Sequence, residues 1–136
     1  MYRVGTEEEL HHQVVEYLKL RYPSVLFRTD MGGIRLTPGL RAKAKRVQGC
    51  RAWPDLFIAE TRGDAIDGEI WCAGLFIELK KAGTRLYLKD GKTMVANEHY
   101  REQAEVLKQL RIRGYKAVFA TGFDETKQII DEYLKG

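Results

Sequence analysis

Apolar residues near the start of the chain recur at helical spacing, and those in the middle come in short, strand-like runs. Leu10, Val14, Tyr17 and Leu18 form one stripe, the periodicity of an amphipathic helix. Thr6 can serve as its N-cap, with Glu9 three residues later completing a capping box. The "RYP" at 21–23 closes it, because a residue before proline disfavours the α region. "VLFRT" (25–29) reads as a short strand, and the Gly-rich, basic stretch after it as a long loop with a helical turn at 40–47. "DLFIAE" (55–60) and "IWCAGLFIEL" (70–79) read as two strands around the polar turn "TRGDAIDGE". A helix follows from Asn97, a suitable N-cap, to Arg113, with Gly114 at the position that ends helices and an apolar stripe of Tyr100, Ala104, Leu107 and Leu110. "YKAVFAT" (115–121) is a strand, and Asp124 to Leu134 an amphipathic helix carrying Ile129, Ile130, Tyr133 and Leu134. The predicted order is α-β-β-β-α-β-α, an α/β fold in one domain spanning residues 1–136.

Composition adds little to this picture, and charge distribution adds more. With 136 residues, 44% hydrophobic and 31% charged, the chain suits one globular domain. No apolar run reaches the roughly 20 residues of a membrane helix, and "MYRVGTEEEL" lacks the apolar centre of a signal peptide. Cys50 and Cys72 form no CxxC pair, which argues against a structural zinc site and for a reduced, cytoplasmic protein. The whole chain carries +4, yet Arg35, Arg41, Lys43, Lys45, Arg46 and Arg51 bring +6 to the segment between Met31 and Pro54, where no acidic residue stands. So local a positive field suits a polyanion, and nucleic acid is the commonest one.

Three charged residues interrupt the apolar strands. Side chains alternate along a strand, so Phe76, Glu78 and Lys80 share one face, and Asp55 and Phe57 share a face of the preceding strand. If the two strands pair as a hairpin, Asp55 falls opposite Glu78 and the two carboxylates converge with Lys80. Two close carboxylates repel, and burying either is costly without a partner. A divalent cation such as Mg²⁺ resolves that conflict, since it favours a few carboxylates together with water and a phosphate oxygen. It would polarise a phosphoryl group and acidify a coordinated water, while Lys80 orients that water or neutralises developing charge. His11 and His12 are adjacent on a helix and point about 100° apart, so they cannot serve one site together; neither is assigned as a ligand.

The pairs "PD" (54–55) and "ELK" (78–80) resemble the PD-(D/E)xK signature of restriction-endonuclease-like nucleases. The fuller set resembles the VRR-NUC family along essentially the whole chain: a Glu-bearing first helix, a Gly/Arg-rich loop, "WPDLFI", "GLFIELKK", "EQAEVL" and "GYKAVFATGFDE". The resemblance implies a restriction-endonuclease-like core with a mixed central sheet flanked by helices, and an endonuclease dependent on Mg²⁺ or Mn²⁺. It implies that Asp55 and Glu78 are metal carboxylates, that the Leu79 carbonyl is a further ligand and that Lys80 is the catalytic lysine. It also implies a glutamate from the first helix and a catalytic glutamine, Gln103, from the helix after the ExK strand. Glu9 is engaged in the capping box and Glu7 lies on the stripe of Leu10 and Val14, which favours Glu7. Standalone members of the family are associated with Holliday-junction cleavage, which implies a homodimer acting on branched DNA; a flap or single-strand nuclease, or a binding module of the same fold with little activity, are the rivals.

Overall fold

The computed structural model describes residues 6–30, 37–47, 51–63 and 68–135. Helix α1 (Glu7–Arg21) starts where the Thr6 hydroxyl accepts the Glu9 N–H at 3.1 Å. It stops at Tyr22, before Pro23. Strand β1 (Phe27–Thr29) follows, then α2 (Pro38–Val47) and β2 (Leu56–Ile58). Two very short strands, β3 (Arg62–Gly63) and β4 (Ile70–Cys72), form a separate antiparallel ribbon. Strand β5 (Leu75–Lys80), helix α3 (Glu98–Ile112), β6 (Lys116–Thr121) and α4 (Gly122–Lys135) complete the chain.

The main sheet has the order β1-β2-β5-β6, with β5 antiparallel to β2 and parallel to β6. Stripped of α2 and the β3–β4 ribbon, the core is the predicted α-β-β-β-α-β-α with a mixed central sheet flanked by helices. The stretch 70–79, expected as one strand, is two. Gly74 separates them: a Cβ there would lie 2.7 Å from the Phe57 ring, and the Ala73 N–H turns to the Gly114 carbonyl at 2.8 Å. The helical turn expected at 40–47 is a ten-residue helix beginning at Pro38, whose fixed φ suits a first turn.

All six residues of β5 are buried, because both faces of the sheet are covered. Leu75, Ile77 and Leu79 pack with Leu10, Val14 and Leu18 of α1 and Ile130 and Tyr133 of α4. Phe76 lies on the opposite face with Leu107 and Leu110 of α3 and Ala117 of β6. There Phe57 stacks on Phe76 with ring centroids 4.5 Å apart, and Trp53 meets Phe76 edge-on at 5.3 Å. The period-two alternation carries Glu78 and Lys80 onto that second face, beyond the aromatic cluster. The buried line of α3 is Gln103, Leu107 and Leu110, so the predicted stripe is rotated slightly: Gln103 is buried and Ala104 only half-buried. Among the described residues no helix is long and apolar enough to cross a membrane.

Candidate active site

The β2–β5 register pairs Leu56 with Ile77, and one step further sets Asp55 opposite Glu78. Asp55 stands just before β2, where the ladder ends. Its Oδ2 accepts the Leu79 N–H at 2.9 Å, and its own carbonyl accepts the Asp30 N–H at 2.6 Å. The same register sets Leu79 opposite Pro54, which has no N–H. A strand residue's N–H and C=O point the same way, so the Leu79 carbonyl faces the Asp55 side, where a continuing ladder would have offered it a donor and proline does not.

Glu78 and Lys80 are 4% and 5% exposed, unusual for these residue types without a function or a firm partner. The Lys80 Nζ is 3.7 Å from Glu78 Oε2 and 4.7 Å from the centroid of the Tyr100 ring. Burial first, then a hydrogen bond with Asp55 and that residue's negative charge, hold the Glu78 carboxyl well above the ordinary carboxylate range; Glu7 adds to the rise and Lys80 opposes it. Lys80 is thus the one neighbour of Glu78 that favours its charged form, against burial and the Asp55 carboxylate.

Around this pair the predicted residues are placed unevenly. Glu7, exposed in the first turn of α1, is close enough for its charge to be felt at Glu78. It does not join a tight cluster: among the described residues no three His, Cys, Asp or Glu side chains are grouped to hold a metal ion. One turn along α1, His11 brings its Nε2 to 3.8 Å from Asp55 Oδ2. Gln103 is 5% exposed, and its Oε1 has no hydrogen-bond partner among the described residues. Arg35, and the side chains of Arg41, Lys45 and Arg46, lie outside the described residues. Lys43 and Arg51 are exposed, in α2 and in the turn leading to Asp55. That turn passes through Ala52 at φ 60°, a left-handed conformation that favours glycine.

The apolar stripe alone does not reveal that Tyr100 meets Lys80, although Tyr100 and Gln103, three apart on a helix, share a face. Within residues 81–96, outside the elements expected above, the Asp-Gly pair at 90–91 is a hairpin signal.

The donor set fits a divalent cation. Two carboxylates brought together with one of them buried, a carbonyl whose ladder partner is a proline, and a buried amide oxygen without a donor among the described residues are oxygen ligands or ligand supports that the protein alone leaves incompletely satisfied. The α/β domain as a whole has a solved counterpart. A VRR_NUC domain protein is similar over 99% of this chain and 92% of its own, with 27% sequence identity and a TM-score of 0.60. The chain thus has the VRR-NUC fold. No family model and no curated protein matches the sequence.

Proposed function

We propose that the protein is a divalent-metal-dependent endonuclease that hydrolyses DNA phosphodiester bonds, with Asp55, Glu78 and Lys80 at its centre. The observation that carries this reading is the convergence of the half-buried Asp55 with the buried Glu78 and the buried Lys80 ammonium at one end of the sheet. The nuclease-type domain named for the structural neighbour supports it. Asp55, Glu78 and the Leu79 carbonyl would hold Mg²⁺ or Mn²⁺, with Glu7 as a further carboxylate. Such an ion, when bound, supplies Lewis-acid polarisation of the phosphate and a more acidic water. Lys80, steadied by the face of Tyr100, directs its ammonium at charge developing on the phosphate. Gln103 offers its free amide oxygen to the attacking water or to Lys80 and fixes its direction. His11, its Nε2 3.8 Å from Asp55 Oδ2, lines the site beside the oxygen that also accepts the Leu79 N–H.

On the same reading, the basic residues from Arg35 to Arg51 hold the DNA backbone and deliver it to Asp55, and the enzyme works in the cytoplasm, where its substrate lies. The preferred substrate is branched DNA, such as a Holliday junction. One domain with one site cuts one strand per binding event, whereas resolving a four-way junction takes two symmetric nicks, which a two-fold homodimer supplies. Ile70 and Trp71, 62% and 66% exposed on β4, are an apolar surface suited to the dimer contact. The test is a panel of single-stranded, duplex, flap and four-way-junction DNA with Mg²⁺, with Mn²⁺ and with chelator, together with light scattering. Metal-dependent paired nicks in the junction by a dimer are expected. A monomer that nicks only flaps would remove the junction and dimer reading and leave the nuclease. DNA binding with no cleavage in either metal would reduce the protein to a binding module.

A further inference from the structure

Residues 84–95 form a second feature beside the site. The Val95 N–H donates to the Leu86 carbonyl at 2.9 Å and the Leu88 N–H to the Thr93 carbonyl at 2.7 Å, while Tyr87 and Met94 pair as an antiparallel bridge. Asp90 closes the tip by accepting the N–H groups of Lys92 and Thr93 at 2.9 and 2.8 Å, and Gly91 supplies the left-handed residue at φ 69°. Leu86, buried, anchors the base. This is a built hairpin, and its two ends belong to the site. Lys81 directly follows Lys80; at the other end Asn97 caps α3, three residues before the ring that contacts Lys80.

The hairpin's charge is unbalanced. Lys81, Arg85, Lys89 and Lys92 are its cations, and Asp90, already engaged with the N–H groups of the tip, is the one carboxylate from Lys81 to Asn97. All four cations are exposed, and none has a carboxylate partner among the described residues. The lysines of α4 contrast with them: Lys127 and Lys135 lie 3.7 and 3.9 Å from the Asp131 carboxylate. Tyr87 and Leu88, 41% and 49% exposed, stand among these cations. From Lys80 to Lys89 the chain spans at most about 30 Å, less than one turn of B-DNA, about 34 Å.

We infer that the 84–95 hairpin is a second DNA-binding element, its cations gripping backbone phosphates within one helical turn of the bond placed at Asp55 and Glu78. The inference rests on the nuclease reading for its choice of partner, and on the hairpin's own geometry for its place. Cations with no carboxylate to neutralise them retain their pull on phosphate, and each phosphate they neutralise releases counterions; the Arg85 Nε also donates to the Tyr87 carbonyl at 3.3 Å, a neutral partner that leaves its charge in place. A sequence-independent contact of this kind sets register on the duplex and leaves base recognition open.

The test is the salt dependence of DNA binding by the full chain in chelator, so that cleavage plays no part. K89A/K92A should lower the slope of log K against log salt by about 1.8 units on duplex DNA, at roughly 0.9 per phosphate. K127A/K135A, which removes the same formal charge from lysines already paired, should leave the slope at the wild-type value. R85A provides a further single-site fall of about 0.9 from the hairpin's base. Circular dichroism checks that each variant is folded. An unchanged slope in both K89A/K92A and R85A overturns the inference, as does an equal fall in the α4 control. Cleavage by the wild-type protein in Mg²⁺ is read separately. A protein that binds through the hairpin but never cuts loses the nuclease reading and keeps this one, whereas a cutting protein with an unchanged slope loses only this one.

Discussion

The molecule contains two polar clusters built on partly or fully buried carboxylates, and they are opposites. At one, between the C-terminal half of α1 and α4, the hydroxyls of Tyr17 and Tyr22 both donate to Asp131 Oδ1, at 2.5 and 2.6 Å, and Lys127 and Lys135 flank its other oxygen. Burial alone would raise the Asp131 pKa, but the two tyrosine hydrogen bonds and the two lysines outweigh it and hold that carboxyl below its ordinary range. At the other, Glu78 is held above the ordinary range and Gln103 keeps an acceptor without a donor. The first cluster is complete within the protein and ties two helices together. The second is incomplete, and residues that satisfy one another poorly persist where a ligand completes them. The sign of the carboxylate's pKa shift separates the structural cluster from the candidate functional one.

The largest effect that would break this comparison is on cleavage. On the proposed metal-site reading, Asp55→Asn and Glu78→Gln should each reduce DNA cleavage by about 10³-fold or more, since each would remove a carboxylate that holds the ion. Asp131→Asn should leave the rate of the folded protein within about twofold, as expected far from the chemistry. Gel assays at saturating DNA read both. A rate loss at Asp131→Asn matching that at Glu78→Gln would erase the distinction.

Stability should divide the other way. Asp131→Asn is expected to lower unfolding free energy by about 1.5–3 kcal/mol, the range for hydrogen bonds to a charged group. Glu78→Gln should raise the melting temperature of the metal-free protein by about 3–6 °C, because a neutral amide can hydrogen-bond to Asp55 without the crowded charge. The pH dependence carries opposite signs. The folded-state pKa of Glu78 lies above its unfolded value, so its contribution is fully present in acid and drains away as pH rises through the folded pKa. The advantage of Glu78→Gln should therefore grow between about pH 5 and 9. Asp131 has a depressed folded pKa, so its contribution is present above the ordinary carboxylate pKa and lost as pH falls through the folded value. Denaturant midpoints across pH would show the two trends, and parallel trends would sink the account. Because a carboxyl must be deprotonated to hold a cation, Mg²⁺ or Mn²⁺ affinity should climb by up to about tenfold per pH unit below the raised Glu78 pKa, which calorimetry in two buffers measures as proton release.

Smaller effects sharpen the picture. Gln103→Leu should slow cleavage by about 10- to 100-fold, the range for residues that support a site, while adding about 1 kcal/mol to metal-free stability by removing an unpaired buried acceptor. Loss of stability instead would mean that the amide is already satisfied. Ala52→Gly should stabilise by about 1 kcal/mol, since glycine adopts φ 60° without the Cβ clash. A thermal melt no higher than wild type would place the strain elsewhere.

The main elements and the facing of the charged residues follow from rules that act along the chain. Thr6 and Asn97 cap their helices as their side chains dictate, and the period of two carries Glu78 and Lys80 to the face shared by Phe76. Cap chemistry and strand alternation are local rules, legible along a chain. What the tertiary structure decided is everything that depends on approach between distant segments. Phe57 against Gly74 splits the stretch 70–79 into two strands. The pairing of α1 with the start of β2 sets His11 beside Asp55. The docking of α3 turns Tyr100 onto Lys80 and buries Gln103 in place of Ala104. A helical stripe fixes only which side of a helix is apolar. The rotation that chooses Gln103 is set by the surface it packs on, and so is the burial that raises the Glu78 pKa.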